Sequence, residues 1–223
     1  MSYTSHADLG GAPGHGRIKP EPEGDLWHAP WEARAMALTL AMGASGAWNI
    51  DMSRSARETL PDYAALSYYQ IWLAALQKLL LERRLLRRAE QHRGHSIDAP
   101  LPLPRTLHAG DVEATLARGS PTLRTASAPA RFALGDRVRT LRHKATHHTR
   151  LPGYVRGKVG TIERMHGAHV FPDTHAHGLG EQPQWLYTVT FDAEQLWGKG
   201  SASRHAVSVD AWEPYLEACQ DEA

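Results

Sequence analysis

The sequence predicts an α+β protein with an extended N-terminal arm, a helical N-terminal domain and a C-terminal half-open β-barrel of SH3-like size. Three observations carry that prediction. Between Pro30 and Leu86 apolar residues recur at three- and four-residue spacing, the period of an amphipathic helix. After Arg131 they alternate in short runs broken by glycine and polar turns, the period of a strand. Between the two lies a stretch holding Pro100, Pro102, Pro104, Pro121 and Pro129, which breaks regular structure. The expected division is therefore an arm over 1–30, a helical domain over 31–95, a linker with a short helix over 96–130, and the barrel domain over 131–223.

The arm contains five glycines and four prolines. Its large apolar groups, Tyr3, Leu9, Ile18, Leu26 and Trp27, follow no period, so it builds no core of its own and suits a segment laid across a partner chain. Pro30 fits a first helical position and Glu32 supplies the first-turn carboxylate, with a stop expected at Gly43. Asp51 is expected to cap a second helix over 51–59, closed by Pro61. From Ser67 a longer helix carries Tyr68, Tyr69, Trp72, Ala75, Leu76, Leu79, Leu80 and Leu86 as a buried stripe. Arg83, Arg84, Arg87 and Arg88 form its solvated end. Within the proline-rich stretch only 111–118, stopped by Gly119, has helical spacing. Strands are expected around Phe132, Leu134, Val138 and Leu141, around Val159 and Ile162, at Tyr187, Val189 and Phe191, and at Val207 and Val209. Short strands joined by turns fit a small barrel better than a parallel sheet.

A chain of 223 residues is long enough to bury about 70% of its unfolded surface. Its 25 Lys and Arg against 24 Asp and Glu rule out a globally basic polyanion binder. The single cysteine, Cys219, excludes an internal disulfide and any Cys-paired zinc or iron–sulfur site, and points to a reducing compartment. Residues 1–6 lack the basic and apolar segments of an export signal, and the longest apolar stretch, 35–44, is interrupted by Thr39. A cytoplasmic protein without a membrane partner is expected.

No Gly-rich phosphate loop, Gly-x-Ser-x-Gly elbow or Cys-x-x-Cys pair is present. Seven of the fourteen histidines fall at His143, His147, His148, His166, His169, His175 and His177. A catalytic metal needs three ligands and an open position, and loop histidines that bind nothing are commoner, so no metal is assigned to this chain. From 124 to 158 nine Lys or Arg stand against one Asp, and RGKVGTI (156–162) is similar to the glycine-centred turn of KOW-type barrels that bind RNA. The alternative reading is thus a basic RNA-binding module using Arg137, Arg139, Lys144 and Lys158. Only Tyr154 offers a stacking ring there, and nucleic acid is not the expected partner.

Longer motifs point elsewhere. GYVRGKVGTI (153–162), HGAHVFPDTHAHGLGEQPQWLYTVTF (166–191), EQLWG (194–198) and WEPYLE (212–217) resemble the carboxyl half of the nitrile hydratase beta subunit. HADLGGAPGHGRI (6–18), APWEARA (29–35), WNIDMSR (48–54) and SYYQIW (67–72) resemble its amino half in the same order. The resemblance implies an obligate alpha subunit, in a heterodimer or heterotetramer. That partner holds a low-spin cobalt(III) or iron(III) in a cysteine claw with two thiolates oxidised to sulfenic and sulfinic states. Together the subunits act as a lyase that converts small nitriles and water to amides. The lone cysteine of this chain agrees with thiol ligands supplied elsewhere.

In the family two beta-subunit arginines hydrogen-bond to the oxidised sulfurs, and the resemblance places them at Arg54 in WNIDMSR and Arg150 in HHTRLPGY (147–154), with Arg57 as the fallback for Arg54. Guanidinium suits the task because its planar fork donates paired, charge-assisted hydrogen bonds and keeps its proton. Asp51, as cap, is expected to fix the turn that carries Arg54. The aromatic wall of the family's substrate pocket falls on Tyr68 and Trp72, with Ile50 and Tyr69 as further candidates. A nitrile is a slender dipole with an apolar tail, which aromatic walls suit. Where the family often ends its long helix with glycine this chain has Arg84, so the helix is expected to run on through Leu86.

Overall fold

Helical periodicity in the first half of the chain becomes four helices in the computed structural model, which describes residues 3–21, 23–24, 26–198 and 205–219. Met1, Ser2, Pro22 and Asp25 of the expected arm, and 199–204 and 220–223 of the expected barrel domain, lie outside the described residues. Helix α1 spans Pro30–Ala44, α2 Ile50–Glu58, α3 Tyr68–Glu82 and α4 Arg88–Arg93. Pro30 stands at the first position of α1, where its missing N–H costs nothing. Glu32 reaches back to accept from the His28 backbone N–H at 2.8 Å. Gly43 does not stop α1; the helix ends one residue later, where the Ser45 N–H and hydroxyl both return to the Met42 carbonyl.

Two expectations are corrected here. The cap of α2 is Asn49, whose side chain accepts from Met52 N–H at 2.9 Å, and Asp51 lies inside the first turn. Both residue types cap well, and the choice falls to Asn49 because Asp51 is drawn into the unit and only 2% exposed. Helix α3 does not continue through Leu86. It stops at Glu82, and Arg84 adopts the left-handed conformation, φ +58°, that glycine favours. The Leu85 and Leu86 N–H groups then close onto the Leu80 carbonyl at 2.8 and 3.2 Å, satisfying the helix end. The turn also admits α4, which sequence spacing does not announce. Its Glu90 carboxylate accepts from the Arg87 and Ile97 N–H groups, and Arg87 pairs with Asp98 at 2.7 Å. The helices enclose Trp48, Ala56, Leu60, Ala75, Leu76 and Leu79. The first part of the proline-rich stretch lies on them, with Leu101 and Leu103 facing Leu80 and Leu85 across a cleft and Arg105 N–H bonded to the Ser45 carbonyl.

Helix α5 spans Val112–Arg118 and ends at Gly119, φ +58°, as its spacing predicts. Beyond it the strands are β1 Leu123–Arg124, β2 Arg137–Thr140, β3 Val159–His169, β4 Gln184–Asp192, β5 Ala206–Trp212 and β6 Leu216–Ala218. They form one open antiparallel sheet in the order β5-β4-β3-β2-β6, with β1 on β3. Short helices α6, Pro172–His175, and α7, Ala193–Trp197, flank β4. The mixed helical and open antiparallel architecture is α+β and consistent with a half-open barrel. Its core gathers Phe132, Val138, Val155, Ile162, Tyr187, Val189, Phe191 and Leu216, among them the alternating residues that predict the strands. Gly160 on β3 admits no side chain, since a Cβ there would stand 2.7 Å from the Thr190 carbonyl of β4.

The described residues divide into two compact units, one within 12–120 with 4–7, the other within 121–219 with 8–11 and Tyr3. Among the described residues of the arm only Pro30, the first of α1, lies in a helix or strand. Within the first unit His6 N–H donates to the Glu58 carbonyl. Within the second the Asp8 carboxylate accepts from Gly153 N–H at 2.8 Å and from Arg156 at 3.3 Å. No described helix is long and apolar enough to cross a membrane.

Candidate functional site

In the helical unit the candidate residues sit on α2 and the start of α3. Ile50, first in α2, is exposed; Asp51 beside it is buried. One turn on, Arg54 donates through one guanidinium nitrogen to Asp51 at 3.0 Å. The carboxylate also lies in the first turn, where the positive helix end favours it. The Arg54 side chain keeps 42% of its surface, so the guanidinium is tethered on one side and open on another.

Arg57 is placed differently. Its guanidinium returns to Ser53, donating to the carbonyl at 3.2 Å and reaching the hydroxyl at 3.4 Å, and lies over the Trp72 ring at 4.9 Å. Burial, and then the charge of Arg54, push its pKa below the ordinary arginine value.

Helix α3 begins at Ser67, whose N–H is taken by Gln70 at 2.8 Å, and this start presents Tyr68, Tyr69 and Trp72 together. Tyr68 meets Tyr69 edge-on at 5.0 Å and Trp72 at 5.6 Å, and Tyr69 is 5.9 Å from Trp72. Tyr68 is 63% exposed, so it is no core ring. Tyr69 turns inward, its hydroxyl on the Met36 sulfur at 3.7 Å and its ring 5.2 Å from Trp27. Trp27 thus joins the cluster; nothing in its aperiodic surroundings announces that, although an isolated large ring ahead of a helix start is the one available signal.

Arg150 belongs to the sheet unit, on the loop between β2 and β3. Its backbone N–H donates to the Tyr215 hydroxyl at 3.0 Å. That hydroxyl donates in turn to the Asp173 carboxylate. His147 approaches the same carboxylate at 3.6 Å, and the Thr149 hydroxyl bonds to it. Burial pushes the Asp173 carboxyl up to about 6, while Tyr215, His147 and Thr149 pull it down. Burial, and then the neighbouring Asp173, drive the Tyr215 hydroxyl well above its ordinary value. These groups border a half-open cleft of about 600 Å³, also lined by His143, Lys144, Arg156 and His177. Sequence motifs identify Arg150 but not the Tyr215 and Asp173 beneath it, because no local pattern links residues that far apart.

Among the described residues no group of three or more His, Cys, Asp or Glu is arranged to hold a metal ion. What the arrangement offers is guanidinium donors for an anion and aromatic surface for an apolar group.

Residues 3–114 match the family model described as nitrile hydratase beta subunit, N-terminal, and 121–218 the model described as nitrile hydratase beta subunit, C-terminal. The low-molecular-weight cobalt-containing nitrile hydratase subunit beta of Rhodococcus rhodochrous is 37% identical over 219 residues, covering 94% of this chain and 96% of that protein. The cobalt-containing nitrile hydratase subunit beta of Pseudonocardia thermophila is 35% identical over 223 residues, covering 94% of each. The thiocyanate hydrolase subunit alpha of Thiobacillus thioparus is 31% identical over 90 residues, covering 40% of this chain and 71% of that protein.

Proposed function

The chain belongs to the nitrile hydratase beta-subunit family, and from that premise we propose that it assembles with an alpha subunit to hydrate small nitriles to amides. The metal, cobalt(III) or iron(III) held in the alpha subunit's cysteine claw, would supply either Lewis-acid activation of the nitrile or activation of the nucleophile, water or an oxidised thiolate. This chain supplies the surroundings. Arg54 and Arg150 donate to the oxidised sulfur ligands, and Tyr68 and Trp72, with Ile50 and Tyr69 beside them, wall the pocket for the substrate's apolar tail. The arm over 1–30 wraps the alpha subunit, the helical domain over 31–95 carries the aromatic wall, and the SH3-like barrel over 131–223 carries Arg150, with 96–130 as connector. The assembled enzyme is cytoplasmic.

One observation supports this reading most directly: α2 and α3 bring a guanidinium row and an aromatic group to one place, with Arg57 seated on Trp72 and Arg54 tethered but open. The same observation favours Arg54 over Arg57 as donor, since Arg57 is engaged with Ser53 and Trp72 inside the unit. Sulfenate and sulfinate oxygens at an interface are anions removed from water, and leaving one unpaired costs about 2–5 kcal/mol. Lysine, a point donor without the fork, substitutes poorly.

The test is co-expression with an alpha subunit that carries the cysteine claw, reading amide formation from a small nitrile. Activity is expected only from the pair; turnover by this chain alone, or none by the pair, overturns the reading. In the pair, Arg54→Lys and Arg150→Lys are each expected to lower kcat at least about a hundredfold, and Arg57→Lys much less.

A further inference from the structure

We propose that Tyr215 and Asp173 are positioning residues for Arg150, forming a buried hydroxyl–carboxylate post that fixes the loop from which its guanidinium reaches. The proposal rests on Arg150 acting as a donor, as argued above. Tyr215 is 3% exposed and Asp173 7%, so both groups stand almost wholly inside the unit, at the wall of the cleft. Tyr215 starts from the end of β5 and the turn before β6, Asp173 from α6, and both therefore stand on structure rather than on the loop they hold.

Three attachments converge on the pair. The Arg150 N–H ends on the Tyr215 hydroxyl, the Thr149 hydroxyl on Asp173, and the His147 ring lies against the same carboxylate while its Nδ1 also meets the His148 carbonyl at 2.9 Å. Every residue from 147 to 150 except His148 is thereby referred to one carboxylate, directly or through one hydroxyl. His148 is itself fully buried, and its N–H donates to His177 at 3.3 Å. A buried carboxylate is costly unless several groups share it, and here two of those beside Tyr215, Thr149 and His147, belong to the loop. The post also explains why Tyr is needed at 215: the ring packs between Phe171 and Trp212, which a phenylalanine would do equally well, whereas only a hydroxyl can accept from one backbone N–H and donate to an acid at once.

Positioning of this kind matters because a donor displaced by about 1 Å loses most of its worth at a reaction centre. The test uses the enzyme assembled with its alpha subunit and compares Tyr215→Phe, Asp173→Asn and Arg150→Lys. Backbone amide exchange over 147–151 is expected to rise at least tenfold in Tyr215→Phe, with exchange in β3 and β4 unchanged. In the same variant kcat is expected to fall at least tenfold with KM within twofold, and the loss is not expected to multiply with that of Arg150→Lys. Asp173→Asn, which keeps an acceptor for Tyr215, is expected to fall between wild type and Tyr215→Phe. Unchanged exchange over 147–151 in Tyr215→Phe overturns the proposal, as do kcat losses that multiply with those of Arg150→Lys. Full activity in Arg150→Lys alone removes the donor role of Arg150 and with it the catalytic part of the proposal, while loop exchange still reports whether the post holds the loop.

Discussion

The Arg54 guanidinium is held one helical turn from a carboxylate that is almost sealed from solvent, and this pairing decides what each residue of the turn can do. Asp51 is committed to the unit, so the capping falls to Asn49. Asn49→Ala is expected to remove one cap bond and lower stability by about 1 kcal/mol, read as a shift in the denaturant midpoint without a change in slope. The motif WNIDMSR points to Arg54 through the family resemblance, but it does not choose between Asn49 and Asp51, because both are good caps and only burial separates them. Asp173 is a second case in which burial sets the chemistry. Its carboxyl is raised from 3.8 to about 6, so the folded chain prefers the neutral form. The stability this group adds is fully present below pH 3.8 and lost as pH rises through about 6. The charged form is opposed by desolvation and favoured by His147, Tyr215 and Thr149; Lys144, Arg156, His143 and His177 border the same cleft. Asp173→Asn cannot ionise, so its stability relative to wild type should rise across pH 4–6, by at most roughly 3 kcal/mol. Paired melts of variant and wild type across that range check it, and a parallel pH dependence in the two refutes it.

Elements end and meet where single residues permit. Arg84 occupies a left-handed position that costs a side-chain-bearing residue about 1–2 kcal/mol, and the closure of Leu85 and Leu86 onto Leu80 holds it there. Arg84→Gly is therefore expected to stabilise the chain by roughly 0.5–1 kcal/mol, after the extra freedom glycine gains in the unfolded state, with a higher melting temperature as the readout. The break after Glu82 is not legible in the sequence, since the apolar stripe continues to Leu86 and arginine is a good helix former. What ends the helix is the packing of Leu85 against the core, a tertiary gain that propensity does not record. Gly160 is the reverse case. The strand at Val159 and Ile162 is legible from alternation, and so is a glycine within it, but not that β4 passes against the space a side chain would need. Gly160→Ala presses its Cβ onto the Thr190 carbonyl and Val189, each 2.7 Å away. A loss of about 1–3 kcal/mol or more is expected, checked by chemical denaturation.

At the scale of the whole molecule the chain builds two cores, and the sequence shows both because each follows one simple period. The proline-rich stretch and the arm follow none, so their packing on Leu80, Glu58 or Gly153 could not be read in advance. The candidate site lies at the same boundary of legibility. Individual arginines and rings are marked by motif, and Asp51 by its place in a helix start, though as a cap rather than as the partner of Arg54; Asp173 is marked only by contact in the folded chain. Large apolar side chains nonetheless remain in solvent, among them Ile18, Leu26, Ile50, Tyr68 and Leu73. Ile50 and Tyr68 are proposed to line a pocket closed by the alpha subunit, so association should cover them. Binding that favours the folded chain stabilises it by mass action, about 2.7 kcal/mol when free partner reaches a hundred times Kd. The chain alone is therefore expected to melt several degrees below the assembled enzyme and to expose a tryptic site in the arm, at Arg17, that assembly protects. Differential scanning calorimetry and limited proteolysis of the two samples check this together. An isolated chain that melts cooperatively at the temperature of the complex, with Arg17 equally resistant in both, would show that neither the arm nor the aromatic face depends on a partner.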